Sequence, residues 1–244
     1  KWNWQRVLFL SVILVKICKR MKSIKVLKNR SDIGAGTRGS DMGIDALEIA
    51  AINLGSDFFN RYTFEDLPTH NETVYNKDQN STAKRINFVA KQCERVKNAT
   101  VKVLQEGFLP LILSGDHSSA LGSLAGIQCA FPEQTIGAVW IDAHADLHSP
   151  FSTPSGNVHG MPLAAALAID NIEYKRNDVS DLARSDWERL KNMGTVCPIL
   201  KSQHLIYFGV RDIEEEEKEI MSLNQIKNYP VHEIRYRSLT ACVN

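Results

Sequence analysis

Two short segments of the 244-residue sequence hold side chains that could do metal chemistry. Ser114-Gly115-Asp116-His117-Ser118 closes the apolar run Leu109 to Leu113, and Asp142-Ala143-His144-Ala145-Asp146 closes a second run, Thr135 to Ile141. Together they offer two imidazoles and several carboxylates with no thiolate, a donor set suited to hard or borderline divalent ions such as manganese, iron, cobalt or zinc. In an extended strand, alternation would carry Asp142, His144 and Asp146 to one side. The competing reading makes His117 and His144 hydrogen-bonded core histidines and the aspartates helix caps. Asp116, just before Ser118, suits a cap and is not assigned to metal. Burying Asp142 and Asp146 beside apolar strands without a cation would be costly, which favours the metal reading. A third segment, Ser155-Gly156-Asn157-Val158-His159-Gly160-Met161-Pro162, is reached through a loop holding His148, and adds small polar donors and one histidine.

These residues need elements that bring them to one place. Ser23 to Lys28 alternates like a strand, and Ile44 to Leu54 reads as a short amphipathic helix. In the stretch Thr82 to Glu106, Ala83, Ile86, Val89, Cys93, Val96, Val103 and Leu104 recur at helical spacing, and Gly107 stops them. Ser118 to Ala130 reads as a helix, His204 to Gly209 as a third apolar strand ending in Val-Arg-Asp, and Glu214 to Leu223 as a helix with an acidic first turn. Apolar strands alternating with helices predict an α/β chain, a mainly parallel sheet covered by helices on both faces. Ligands in such folds bind beyond the C-terminal ends of the strands, where the His and Asp residues cluster.

Composition narrows the partners. With 29 Lys plus Arg against 28 Asp plus Glu, no basic excess is available for nucleic acid or an anionic membrane. Five widely spaced cysteines without a C-x-x-C pair argue against a disulfide framework or a thiolate zinc site. The run Val7 to Val15 is too short to span a bilayer as a helix, and no small-residue cleavage pattern follows it. Residues 1–20 are therefore expected to be an upstream or non-native extension before Met21, with a short membrane anchor as the alternative. Gly34, Gly36 and Gly39 formally match G-x-G-x-x-G, but Asn29 to Asp32 separate them from the strand, which is wrong for a dinucleotide site.

Taken together, the three polar segments resemble the arginase branch of the ureohydrolase family in order and spacing, over about Met21 to the C-terminus. The resemblance implies a three-layer α/β/α fold and two Mn2+ ions, bridged by hydroxide, that hydrolyse the guanidinium group of L-arginine to L-ornithine and urea. It further implies that His117 and Asp146 are ligands of the first metal, Asp142 a bridging ligand and His144 a ligand of the second, with Asp146 counted beside the proton shuttle His159 as catalytic. His148, Ser155 and Asn157 stand where the family meets the substrate α-carboxylate, with His148 replacing the usual Asn. Glu214 stands where an Asp usually reads the α-amino group. A cytoplasmic enzyme of arginine metabolism and the urea cycle, assembled when complete as a homo-trimer or hexamer, is the corresponding expectation.

The family's remaining ligands come from an Asp-x-Asp motif on a later strand, and no such motif follows Asp146. Residues 21–244 are thus expected to be an incomplete catalytic domain, lacking C-terminal strands, holding one metal well, with an exposed sheet edge and little activity. The alternatives are an agmatinase or another guanidino or formimino hydrolase of the same family, or an inactive metal-binding fragment. Ser155-Gly156-Asn157 favours arginine, because a substrate without an α-carboxylate has no use for those donors.

Overall fold

A computed structural model describes residues 23–76 and 80–243. The extension assigned to residues 1–20, with its run Val7 to Val15, lies outside the described residues. Among the described residues six strands form, and every pairing is parallel. β1 (Ile24–Asn29) lies between β2 (Thr63–Asp66) and β3 (Leu109–Ser114); β4 (Ala138–Ile141) pairs with β5 (Leu205–Phe208), which pairs with β6 (Lys227–Tyr229). Parallel neighbours need crossovers, and helices supply them: Gly43–Asn53, Ile86–Gln105, Ala120–Ala130, Pro162–Leu167, Asp181–Lys191 and Glu215–Leu223 all lie between successive strands. The α/β class with parallel strands is the one expected.

The described strands form two three-stranded sheets rather than one. Among the described residues β3 pairs only with β1 and β4 only with β5, so each keeps one unpaired edge. The consequence is plain on β4, where Val139 and Ile141 are 63% and 81% exposed while Trp140 between them is buried. A parallel strand covered on both faces would bury all three.

The long helix Ile86–Gln105 ties the two halves together. Its Ile86, Val89, Ala90 and Cys93 join the main core with Leu121, Trp140, Trp187 and Tyr207, while Val96, Ala99 and Val103 pack under the first sheet with Leu27 and Leu67. The periodicity placed this helix correctly but began it too early. Arg85 precedes it in the left-handed region (φ 54°), with its guanidinium donating to the carbonyls of Ile33 and Ala35 at 2.8 and 3.1 Å. That bond set holds the glycine-rich loop after β1 against the helix. Gly122 lets Ala120–Ala130 approach closely: a Cβ there would lie 2.3 Å from the carbonyl oxygen of Cys93.

Candidate metal centre

β3 ends at Ser114, and the chain turns at once into a short 3-10 helix, His117–Ser119. Asp116 is its N-cap. Its carboxylate accepts the backbone N–H of Ser118 at 2.8 Å and that of Gly34 at 2.8 Å, so the cap reading made from the sequence holds. Burial pushes this carboxyl up from its ordinary range, against the pull of those hydrogen bonds.

β4 ends at Ile141, and the chain bends through Asp142, Ala143 and His144. The bend is pinned from several sides. The amides of Arg211 and Asp212 donate to the carbonyl of Ala143 at 2.9 and 3.0 Å, and that of Leu163 donates to the carbonyl of Asp146 at 3.1 Å. Asp146 itself adopts φ 53°, a left-handed conformation that an aspartate tolerates better than most side chains. The expectation that alternation along an extended strand aligns Asp142, His144 and Asp146 is therefore corrected. The backbone does not stay extended, and the bend brings the two carboxylates together while turning His144 outward.

The outcome is a compact set of three. His117 Nδ1 lies 3.0 Å from Asp142 Oδ2 and 2.8 Å from Asp146 Oδ2. Both contacts are ion pairs, and among the described residues the buried Asp146 Oδ2 has no aligned hydrogen-bond donor. Three donor atoms within 4.8 Å of one another, one of them a buried carboxylate oxygen without a hydrogen-bond donor, fit a divalent cation by proximity and by donor type. Burial alone would lower the His117 imidazole, but the carboxylates of Asp146, Asp142 and Asp116 outweigh it and raise its pKa.

His144 stands apart. Its side chain is 60% exposed, with Nδ1 3.5 Å from Asp142 Oδ1 and Nε2 3.5 Å from Asp212 Oδ2. It shares Asp142 with the first set but has no comparable enclosure. Asp212, beyond β5, was not singled out in the sequence.

A second group gathers beside the first. His148 is buried, with Nε2 3.1 Å from Glu214 Oε2 and Nδ1 3.4 Å from Ser152 Oγ. Glu214 is the N-cap of Glu215–Leu223, and Glu217 completes a reciprocal capping box. Sequence reasoning took Glu217 for one more acid of the helix's first turn, with no burial expected of it. It is buried instead and accepts the N–H of Leu147 at 3.1 Å, tying the helix to the chain just after Asp146. The available signal was its place three residues after an N-cap. Burial, with Glu214 alongside, pushes the Glu217 carboxyl up to about 8. Burial also works upward on Glu214, yet its hydrogen bonds to Glu217 and His148 hold it below its ordinary value. His148, Glu214 and Glu217 are also close enough to share a cation, but the carboxylates are engaged in capping at the positive end of a helix dipole, which opposes one.

The third segment is only partly drawn in. Ser155 is exposed and its Oγ accepts the N–H of Asn157 at 3.2 Å; Asn157 Oδ1 accepts from Lys84 Nζ at 3.2 Å. His159 is half-buried and anchored by its backbone N–H to the carbonyl of Gly34 at 3.0 Å, and its imidazole has no hydrogen bond among the described residues.

Residues 23–244 match the family model described as the arginase family. Arginase of Bacillus subtilis strain 168 is 34% identical over 226 residues, covering 91% of this chain and 69% of the relative. Arginase of Bacillus caldovelox is 32% identical over 222 residues, covering 90% and 68%. The native structure of the Bacillus caldovelox arginase at pH 5.6 superposes with a TM-score of 0.74 at 31% identity, again covering 91% of this chain and 69% of the other. The chain thus spans about two thirds of the length of these relatives. The family match over nearly all described residues, the shared fold and the metal-capable cluster lead to one conclusion: this chain belongs to the arginase family of hydrolases.

Proposed function

We propose that the chain acts on the guanidinium group of L-arginine, hydrolysing it to L-ornithine and urea with manganese as its metal. The observation that carries this reading is the meeting of His117 Nδ1, Asp142 and Asp146 around a buried carboxylate oxygen that lacks a hydrogen bond. A divalent cation held by these groups supplies Lewis acidity and makes attacking water more acidic. His144, which shares Asp142, is assigned to a second cation. His159, whose imidazole is uncommitted, is assigned delivery of the proton to the departing amine. His148, Ser155 and Asn157 are assigned to the α-carboxylate as donors and Glu214 to the α-amino group as acceptor. Ser155-Gly156-Asn157 supports arginine over agmatine, which has no carboxylate to use those donors. Urea release measured with arginine beside agmatine tests the assignment: arginine is turned over faster, and equal or faster turnover of agmatine overturns it.

One observation favours a second reading, a chain that holds one cation firmly and turns over little. His144 has only Asp142 and Asp212 near it, each at 3.5 Å, and both the imidazole and Asp212 are exposed. Two tightly bound Mn2+ ions per chain together with arginine turnover would exclude that reading. We place the protein in the cytoplasm, as a homo-trimer or hexamer when complete. Among the described residues no helix is long and apolar enough to cross a membrane.

A further inference from the structure

β4 carries Trp140, and Asp142 follows its last residue, Ile141, where the chain begins to bend. The indole lies flat against the imidazole of His117, with ring centroids 4.3 Å apart and planes 18° from parallel. Asp142 meets the same imidazole edge-on, its Oδ2 3.0 Å from Nδ1. β4 thereby supports the face of the ring, and the bend that follows it faces the ligating atom.

A metal-binding histidine is ordinarily oriented by a hydrogen bond from its other ring nitrogen to a carboxylate, carbonyl or water. His117 Nε2 has no such partner among the described residues, and the side chain is 40% exposed on a single 3-10 turn. Nothing on its own element fixes the ring plane. Trp140, in contrast, is buried and locked into the main core. Its Nε1 is buried without a hydrogen-bond partner, a cost that an aliphatic side chain would avoid if filling space were all the position required.

We propose that Trp140 is the positioning residue for His117, its indole face taking the place of the missing hydrogen bond and holding the imidazole plane so that Nδ1 faces Asp142 and Asp146. This rests on the proposed metal role of His117. Stacking suits the task, because a flat offset contact restricts rotation of the ring without occupying either nitrogen.

The test is titration of Mn2+ into the purified chain, followed by calorimetry and by intrinsic fluorescence, for wild type, Trp140→Phe, Trp140→Leu and His117→Ala. Wild type binds and loses indole emission, since a paramagnetic ion then sits next to the ring beneath His117. The Trp140→Phe variant lacks that quenched component but still stacks, and keeps most of the affinity. Trp140→Leu weakens binding about tenfold, the scale set by loss of an outer-shell partner. The melting temperature without Mn2+ separates a general loss of packing, which both substitutions share, from the loss of affinity, which they do not. Equal affinity in Trp140→Leu and wild type, or no quenching in wild type that disappears with Trp140→Phe, overturns the positioning role. If His117→Ala loses binding and Trp140→Leu does not, that role alone fails. If His117→Ala binds as wild type does, or wild type binds no Mn2+, the metal reading fails with it.

Discussion

Tyr207 on β5 donates its phenolic hydrogen to the carbonyl oxygen of Ala145 across 2.6 Å, and both residues are fully buried. Ala145 sits between His144 and Asp146, so a strand of the second sheet holds the backbone of the metal-capable loop from below. Burial, with Asp146, Glu217 and Asp142 nearby, keeps the phenol well above its ordinary pKa and therefore a donor. Replacing Tyr207 by Phe leaves the Ala145 carbonyl buried without a partner, which costs about 1–3 kcal/mol. Thermal denaturation of Tyr207→Phe is expected to show that loss, together with weaker Mn2+ binding, because Asp146 is the next residue. A variant as stable as wild type would show that the loop does not depend on this bond.

The three-atom set makes a direct thermodynamic prediction. A ligand that binds only the folded chain stabilises it by about 2.7 kcal/mol at a hundred times its dissociation constant. Mn2+ should therefore raise the melting temperature of wild type and have little effect on Asp146→Asn. The His117 imidazole must lose its proton to bind metal, and the surrounding carboxylates raise its pKa. The Mn2+-dependent shift should accordingly shrink as the pH is lowered, starting above the ordinary histidine range. A shift that is constant from alkaline to acid pH would remove His117 from the site.

Glu217 titrates in the opposite sense from a salt-bridged acid. Its folded pKa of about 8 lies above the ordinary 4.5, so between those values the folded chain holds a proton that the unfolded chain has lost. Stability then falls as the pH rises through that window. Glutamine at this position keeps the capping box but cannot ionise. Melting temperatures of Glu217→Gln and wild type, compared from pH 5 to 8.5, should diverge in favour of the variant toward high pH. Parallel curves would count against a protonated Glu217.

The helix that follows His117 is seated by Gly122. A Cβ at that position would lie 2.3 Å from Cys93 O and 3.0 Å from Cys93 Cα, both backbone atoms that cannot swing aside. Gly122→Ala must push Ala120–Ala130 away from Ile86–Gln105 and should cost about 1–3 kcal/mol, the usual range for overpacking. Differential scanning calorimetry measures it, and an unchanged transition would mean that the two helices have slack.

The strand-end polar segments were legible because their chemistry is local. Leu109 to Leu113 followed by Asp116 and His117, and Thr135 to Ile141 followed by Asp142, mark where a parallel strand delivers donors to a cleft, and His117, Asp142 and Asp146 do meet there. The helix Ile86–Gln105 was legible for the same reason, since its spacing repeats within one element. Alternation was the wrong guide beyond Ile141, because carbonyl–amide bonds from Arg211, Asp212 and Leu163, distant in sequence, set the bend.

Residue type and spacing by themselves determined the α/β class and the donor chemistry, which follow from local pattern, and the order of the polar segments carried the resemblance to the family. Only the tertiary structure decided which donors converge. It buried Glu217 by closing a capping box over Leu147, set Trp140 of β4 against His117 on the 3-10 turn after β3, and left His144 facing Asp212. Each of those outcomes depends on distances between segments far apart in the chain, and such distances are set by how helices and strands pack.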